Sequence, residues 1–252
     1  MVQFAIITLL SVAVVSAQFG AWPNPSSTTK VPKKITVKSG QTYDGKNGRF
    51  VAGFAGGDGS QAEGQDPIFE LQAGAKIVNV VLGNPAADGI HCLGACEIEN
   101  VWWEDVGEDA ATFKGKSGDT YSVTGGGAKK ADDKVFQHNG GGTLTIKNFQ
   151  TQDIGKLYRS CGNCKNNGFD RHVVIDTVKL SGATKVIAGV NGNYKDSATL
   201  RNIEIAGSVK TVCENFQGTN NNNQEPKSVR KYTSQENGDG KICIYKTSDI
   251  KA

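Results

Sequence analysis

The chain has 252 residues, a formal net charge of +3, 32 glycines and six prolines. That charge is too small for a nucleic-acid binder or a basic membrane-surface protein, so attraction to an acidic partner needs local clusters of Lys and Arg. Glycine at about twice its usual share of roughly 7%, with few helix-type periodic segments, points to an all-β chain with many turns.

Residues 1–17 (MVQFAIITLLSVAVVSA) read as a secretory signal peptide. Phe4 to Val15 is almost wholly apolar, and Val15-Ser16-Ala17 offers small residues for cleavage. The run is shorter than the roughly 20 residues needed to cross a bilayer, so no membrane association is expected. Residues 18–32 are polar, contain Pro and Ser, and lack periodicity. They are expected to form a flexible leader to a single domain over 33–252. Six cysteines follow: Cys92, Cys96, Cys161, Cys164, Cys213 and Cys243. An even number in a secreted chain favours disulfides, with 15 possible pairings. Cys161-Gly-Asn-Cys164 also has redox or zinc spacing, but no βαβ pattern surrounds it.

From Val31 onward the chain loosely repeats itself. Ile77-Val-Asn-Val-Val-Leu82, Ile98-Glu-Asn-Val-Trp-Trp103, Ile146-Lys-Asn-Phe149, Val174-Ile-Asp-Thr-Val178 and Leu200-Arg-Asn-Ile-Glu-Ile205 each set apolar residues around a polar centre. The aligned centres are Asn79, Asn100, Asn148, Asp176 and Asn202, with gaps of 21, 48, 28 and 26; the 48 reads as two turns of 24. A period between roughly 20 and 50 residues marks a solenoid. Short β-rich units exclude the helical and leucine-rich repeats and leave a parallel β-helix. A β-sandwich is the rival, but its strands recur every roughly 8–12 residues without such self-similarity. The Asn-rich stretch from Asn220 to Arg230 is expected as a loop before a last strand, Lys241 to Lys246.

Asp88 and the pair Glu108-Asp109 are 20 and 21 residues apart, close to one coil. Stacked on adjacent turns, three carboxylates repel unless a cation lies between them, and hard oxygen ligands suit Ca²⁺. Glu104-Asp105 competes for the same place, and a solvated acidic face is the plain alternative. Lys114, Lys134, Lys156 and Arg159 follow at similar spacing, as a candidate basic column. In a regular strand Lys156 and Arg159 point to opposite faces unless a bulge or turn intervenes. Calcium beside lysines suits proton abstraction next to a carboxylate, hence β-elimination from a polyuronate. Two carboxylates across a glycosidic bond would instead serve hydrolysis. Of Trp102-Trp103 at most one can face a sugar, since neighbours in a strand point apart. His91, His138 and His172 read as structural.

Five stretches resemble polysaccharide lyase family 3, the small secreted pectate lyases. They are Glu63-Gly-Gln-Asp-Pro-Ile-Phe69, Asp88-Gly-Ile-His-Cys92, Asn100 to Lys114, Lys134-Val-Phe-Gln-His-Asn-Gly-Gly-Gly142 and Gly155-Lys-Leu-Tyr-Arg-Ser-Cys161. The resemblance runs from about residue 33 to the C-terminus. It implies an all-β, right-handed parallel β-helix and Ca²⁺-dependent cleavage of pectate at alkaline pH. It implies Asp88, Glu108 and Asp109 as calcium ligands, and Lys134, Lys156 and Arg159 as catalytic and carboxylate-binding cations. Lys114 and Glu63 match positions near the substrate, and the base is Lys134 or Arg159. The expectation is therefore a secreted, extracellular, monomeric endo-pectate lyase acting on polygalacturonate, with no nucleic-acid or membrane partner. A hydrolase on the same fold and a non-catalytic pectin binder are the alternatives.

Overall fold

The structure, a computed structural model, describes residues 19–251; the expected signal peptide lies outside them. The early strands are short: β1 Thr28–Val31, β2 Ile35–Val37, β3 Thr42–Ala52, β4 Phe69–Leu71, β5 Ala75–Leu82, β6 Ile90–Cys92, β7 Cys96–Trp103 and β8 Ala111–Phe113. Three long ones follow, β9 Thr120–His138, β10 Gly142–Ser160 and β11 Arg171–Asn191. The C-terminal strands are β12 Ser197–Ile205, β13 Ser208–Gln217, β14 Lys227–Tyr232, β15 Cys243–Ile244 and β16 Ile250–Lys251.

Hydrogen bonding runs β1-β3-β5-β7-β9-β10-β11-β12-β15, parallel throughout. A second ladder, β2-β4-β6-β8, continues onto the C-terminal parts of β9, β10 and β11 and then β13. The chain therefore winds as a parallel β-helix. Each coil buries its apolar residues against the coils on either side, which is why no single coil is stable alone. Ile77, Ile98, Val123, Ile146, Ile175 and Leu200 lie in register as one buried stack. A second stack runs Phe69, Ile90, Ala111, Phe136, Tyr158, Ala188 and Cys213.

The polar centres of the repeats sit where each coil bends. Asn79, Asn100, Asn148 and Asn202 are left-handed, with φ of 54°, 51°, 53° and 53°. Asn tolerates this region because its short amide bonds locally. Asn100 Nδ2 donates to Asn79 Oδ1 at 2.8 Å, so the bends are tied coil to coil. Two details differ from the sequence alignment. The bend in β11 is Thr177 (φ 59°), one place after Asp176. The coil inside the 48-residue gap bends at Gly125-Gly126, where a Cβ on Gly126 would lie 1.9 Å from Val101 O. Gly125, opposite Asn100, takes up the left-handed φ of 70° with room around it, and the crowding falls on Gly126, opposite Val101.

Both ends depart from expectation. Within the segment expected as a flexible leader, β1 pairs with β3 and Trp22 packs edge-on against Trp102 at 5.0 Å. Lys129 Nζ lies 3.8 Å over the Trp22 ring, and Gln150 Nε2 donates to Gly20 O at 2.6 Å. At the other end β14 begins within the expected loop, runs two residues past it and pairs antiparallel with β13, covering an otherwise open edge. The expected last strand shrinks to Cys243–Ile244. The disulfides are Cys92–Cys96, Cys161–Cys164 and Cys213–Cys243, so Cys161 and Cys164 are not a free pair.

Candidate active site

One motif recurs where successive coils enter the second ladder: polar, buried, buried, polar. It reads Asp88-Gly-Ile-His91, Asp109-Ala-Ala-Thr112, Lys134-Val-Phe-Gln137 and Lys156-Leu-Tyr-Arg159, with both middle residues buried each time. Two consecutive buried residues break strand alternation, so both outer residues reach one trough. His91, Thr112, Gln137 and Arg159 are in register, as are Lys134 and Lys156. Lys156 and Arg159 line the same trough, with Leu157 and Tyr158 both buried between them.

Asp88, Glu108 and Asp109 each offer an oxygen within 4.8 Å of the others, and are only 6%, 5% and 2% exposed. Burial raises all three pKa values, Asp88 to about 6 and Asp109 well above the usual carboxylate range, and repulsion within the cluster adds to it at Glu108 and Asp109. Asp88 Oδ1 and Asp109 Oδ1 are buried with no hydrogen-bond partner. Converging carboxylates with orphaned oxygens fit a hard divalent cation of the Ca²⁺ type. The competing pair is used elsewhere: Glu104 binds Arg49 at 2.7 Å and Asp105 faces Lys130 at 3.6 Å.

On one flank of the cluster, His91 Nε2 is 2.6 Å from Asp88 Oδ2 and Lys114 Nζ is 3.0 Å from His91 Nδ1. Burial lowers the His91 pKa to about 3, so the ring is neutral, donating to Asp88 and accepting from Lys114. Burial also lowers the Lys114 pKa. Lys114 thus stands apart from Lys134 and Lys156, and the expected four-member column is a pair with outliers. On the other flank, Lys134 Nζ lies 3.4 Å from Glu108 Oε1, 3.5 Å from Asp109 Oδ1 and 2.9 Å from Asp133 Oδ2. Burial opposes its charge, but these carboxylates outweigh burial and raise its pKa. Asp133 also pairs with Lys156, bridging the two amines.

Arg159 is 6% exposed, and burial lowers its pKa to about 10. Glu63, exposed on the loop between β3 and β4, lines the trough on both the acidic and the basic side, as does Gln137. Asp133, Gln137 and Phe216 line the basic half and were missed from sequence. The repeated polar–apolar–apolar–polar signature could have found Gln137; nothing local marks Phe216, which arrives from two coils away. Neither tryptophan enters the trough. Trp103 is buried against Phe136 and Phe149, and Trp102 lies under Trp22.

Comparison with known proteins bears on the family and the fold. The family described as Pectate lyase matches residues 19–223. Pectate lyase H of Emericella nidulans is 41% identical over 225 residues, covering 89% of this chain and 83% of its own length. Among solved structures, the catalytic domain of pectate lyase PelI from Erwinia chrysanthemi is similar, with a TM-score of 0.68 and 32% identity over 86% of this chain and 99% of that one. PelI in complex with tetragalacturonic acid gives 0.72 and 34%, over 88% and 70%. The fold and the matches define a β-helical polysaccharide lyase. Within that class, the chain belongs to the pectate lyase family.

Proposed function

We propose that the protein is a secreted, monomeric endo-pectate lyase that cleaves (1→4)-α-D-galacturonan by Ca²⁺-dependent β-elimination. The observation that carries this reading is the placement of Lys134 Nζ within 3.5 Å of two members of a three-carboxylate cluster in one trough. Asp88, Glu108 and Asp109 would hold the calcium. Bound there, the ion withdraws charge from a substrate carboxylate and makes the adjacent C5–H more acidic.

Lys134 Nζ takes the C5 proton. The C5–H electrons form the C4=C5 bond, the C4–O bond breaks, and the leaving oxygen takes up a proton to become a hydroxyl. Lys134 is favoured over Arg159 as base because its amine touches the cluster, whereas Arg159 lies over Phe216 and bonds Asn191. A cation shared by Glu108 and Asp109 would weaken their hold on the Lys134 proton, leaving Asp133 as the carboxylate that still favours it. Lys156 and Arg159 hold further carboxylates of the chain, Lys114 steadies His91 beside Asp88, and Glu63 borders the substrate path. The tetragalacturonate complex of PelI supports the choice of substrate. The apolar N-terminal stretch and three disulfides support secretion.

The test is ultraviolet absorbance of the unsaturated product on polygalacturonate, with Ca²⁺ and then with chelator. A rise abolished by chelator is expected. New reducing ends without absorbance would mean hydrolysis, and binding without cleavage would mean a pectin-binding protein.

A further inference from the structure

Arg159 is held differently from the other cations of the trough. Lys134 and Lys156 touch carboxylates, but among the described residues Arg159 makes one hydrogen bond and no ion pair. That bond runs from Nη1 to Asn191 Oδ1 at 3.0 Å. The guanidinium lies 4.0 Å from the Phe216 ring centroid. Nη2 is buried and has no partner. Asp196 attracts the guanidinium from a distance but forms no ion pair with it, so the buried Nη2 is a donor that calls for an acceptor from outside.

The surroundings fix this geometry from three sides. Asn191, fully buried, uses its Nδ2 toward Asp196 Oδ2 at 3.0 Å, Cys161 O at 2.9 Å and Ser160 Oγ at 3.2 Å. A carboxylate and a carbonyl accept only, so the amide cannot flip, and Oδ1 must face Arg159. Asp196 is anchored in turn by the Arg171 backbone N–H at 3.1 Å. Glycines make the space: a Cβ on Gly162 would lie 2.6 Å from Arg159 Nη2, and one on Gly189 2.9 Å from its Cδ. Gly189 is the residue in register with Arg159 on the next coil. The position that Asn191 occupies is also one where an aspartate would neutralise the guanidinium; the neutral amide orients it and leaves its charge free.

We propose that Asn191 and Phe216 are positioning residues that present Arg159 Nη2 as a single aimed donor for one carboxylate of the polyuronate chain. The inference rests on the pectate reading above and deepens it: the trough would distinguish an acid from its methyl ester at the sugar that meets Arg159. Asn191 sets the rotation of the guanidinium and Phe216 sets its plane.

The experiment is a pair of double-mutant cycles, Phe216→Leu and Asn191→Ser, each in wild-type and Arg159→Met backgrounds. Both kcat/KM on polygalacturonate and affinity for tetragalacturonate in Ca²⁺ are measured, with melting temperature recorded for every variant. In the wild-type background each single change is expected to lower kcat/KM by about 10–100-fold, the scale of a catalytic group displaced by about 1 Å. In the Arg159→Met background the same changes are expected to cost less than about threefold, because the residue they aim is gone. On highly methyl-esterified pectin the single variants are expected to approach wild type. Equal losses in both backgrounds would overturn the proposal and leave Asn191 and Phe216 as packing. Should Asn191→Ser fail to fold, the Phe216 cycle alone decides. If the protein bound tetragalacturonate without eliminating, the lyase reading would fall while the affinity cycle still judged this one. Absence of any binding would overturn both.

Discussion

On the proposed mechanism the chemistry turns on Lys134, and its neighbours make a definite demand. Replacing it with Ala removes a general base, worth about 10²–10⁴ in kcat, while leaving the three carboxylates in place. Steady-state rates should fall by that factor with Ca²⁺ affinity, read by calorimetry, unchanged or tighter. The carboxylates themselves predict a pH dependence. Burial raises the Asp88 pKa from 3.8 to about 6, so its proton is held more firmly in the folded state. The stabilisation this gives is present below about pH 4 and is lost as pH rises through about 6. His91 and His138, held neutral by burial with pKa about 3, act with the opposite sign, so the share of Asp88 is read against Asp88→Asn: without metal that variant should gain in melting temperature relative to wild type between pH 4 and pH 7. Ca²⁺ competes with those protons, so its effect should grow with pH, to about 5–10 °C near a hundredfold excess over Kd. Melting curves with chelator and with Ca²⁺ at both pH values check this; identical curves would exclude the cluster as a metal site. Much of this cluster was legible in sequence, because Asp88 and Glu108-Asp109 are spaced by one coil. The choice between Glu104-Asp105 and Glu108-Asp109 was not, because only the folded chain brings Arg49 to Glu104.

Among elements, the bends govern stability without touching chemistry. Asn148 holds φ 53°, which costs a residue without a local amide bond about 1–2 kcal/mol. Asn148→Ala should lower the melting temperature by about 2–8 °C and leave kcat/KM unchanged, whereas Asn148→Gly should lose much less. Thermal melts and initial rates on the two variants test it. The repeat that revealed these bends is also where sequence reading slipped by one residue, at Thr177. Apolar alternation on both sides of Asp176 satisfies either alignment, and only hydrogen-bond register separates them. The trough was half legible for a related reason. Spacing finds residues one coil apart, but says nothing of Phe216, Asn191 or Asp133, which meet the site from other coils or from the inner side of a bend.

Over the whole molecule, the solenoid leaves two ends to secure, and neither was visible in composition. The N-terminal stretch was read as a leader because it is polar and aperiodic; its anchors are the β1–β3 pairing and the Trp22 ring on Trp102, which composition does not reveal. The C-terminal end is fastened by Cys213–Cys243, a link across 30 residues. Loop-closure entropy for that span is worth about 3–4 kcal/mol. Paired Cys213→Ala and Cys243→Ala substitution should lower denaturation free energy by about that amount, read by urea titration, with the calcium-dependent rate at 25 °C largely kept.

The antiparallel turn-back of β14 has a further meaning. A stack of parallel coils is a polymer that happens to stop: every coil is a template for the next, at the same inter-strand spacing that cross-β fibrils repeat without limit. β14 reverses the chain direction and presents Lys227, Arg230 and Lys231 at the terminus, so an arriving copy meets mismatched polarity and like charge. The reversal thus closes the second ladder alone, while on the first the short parallel β15 and β16 are the last strands laid down.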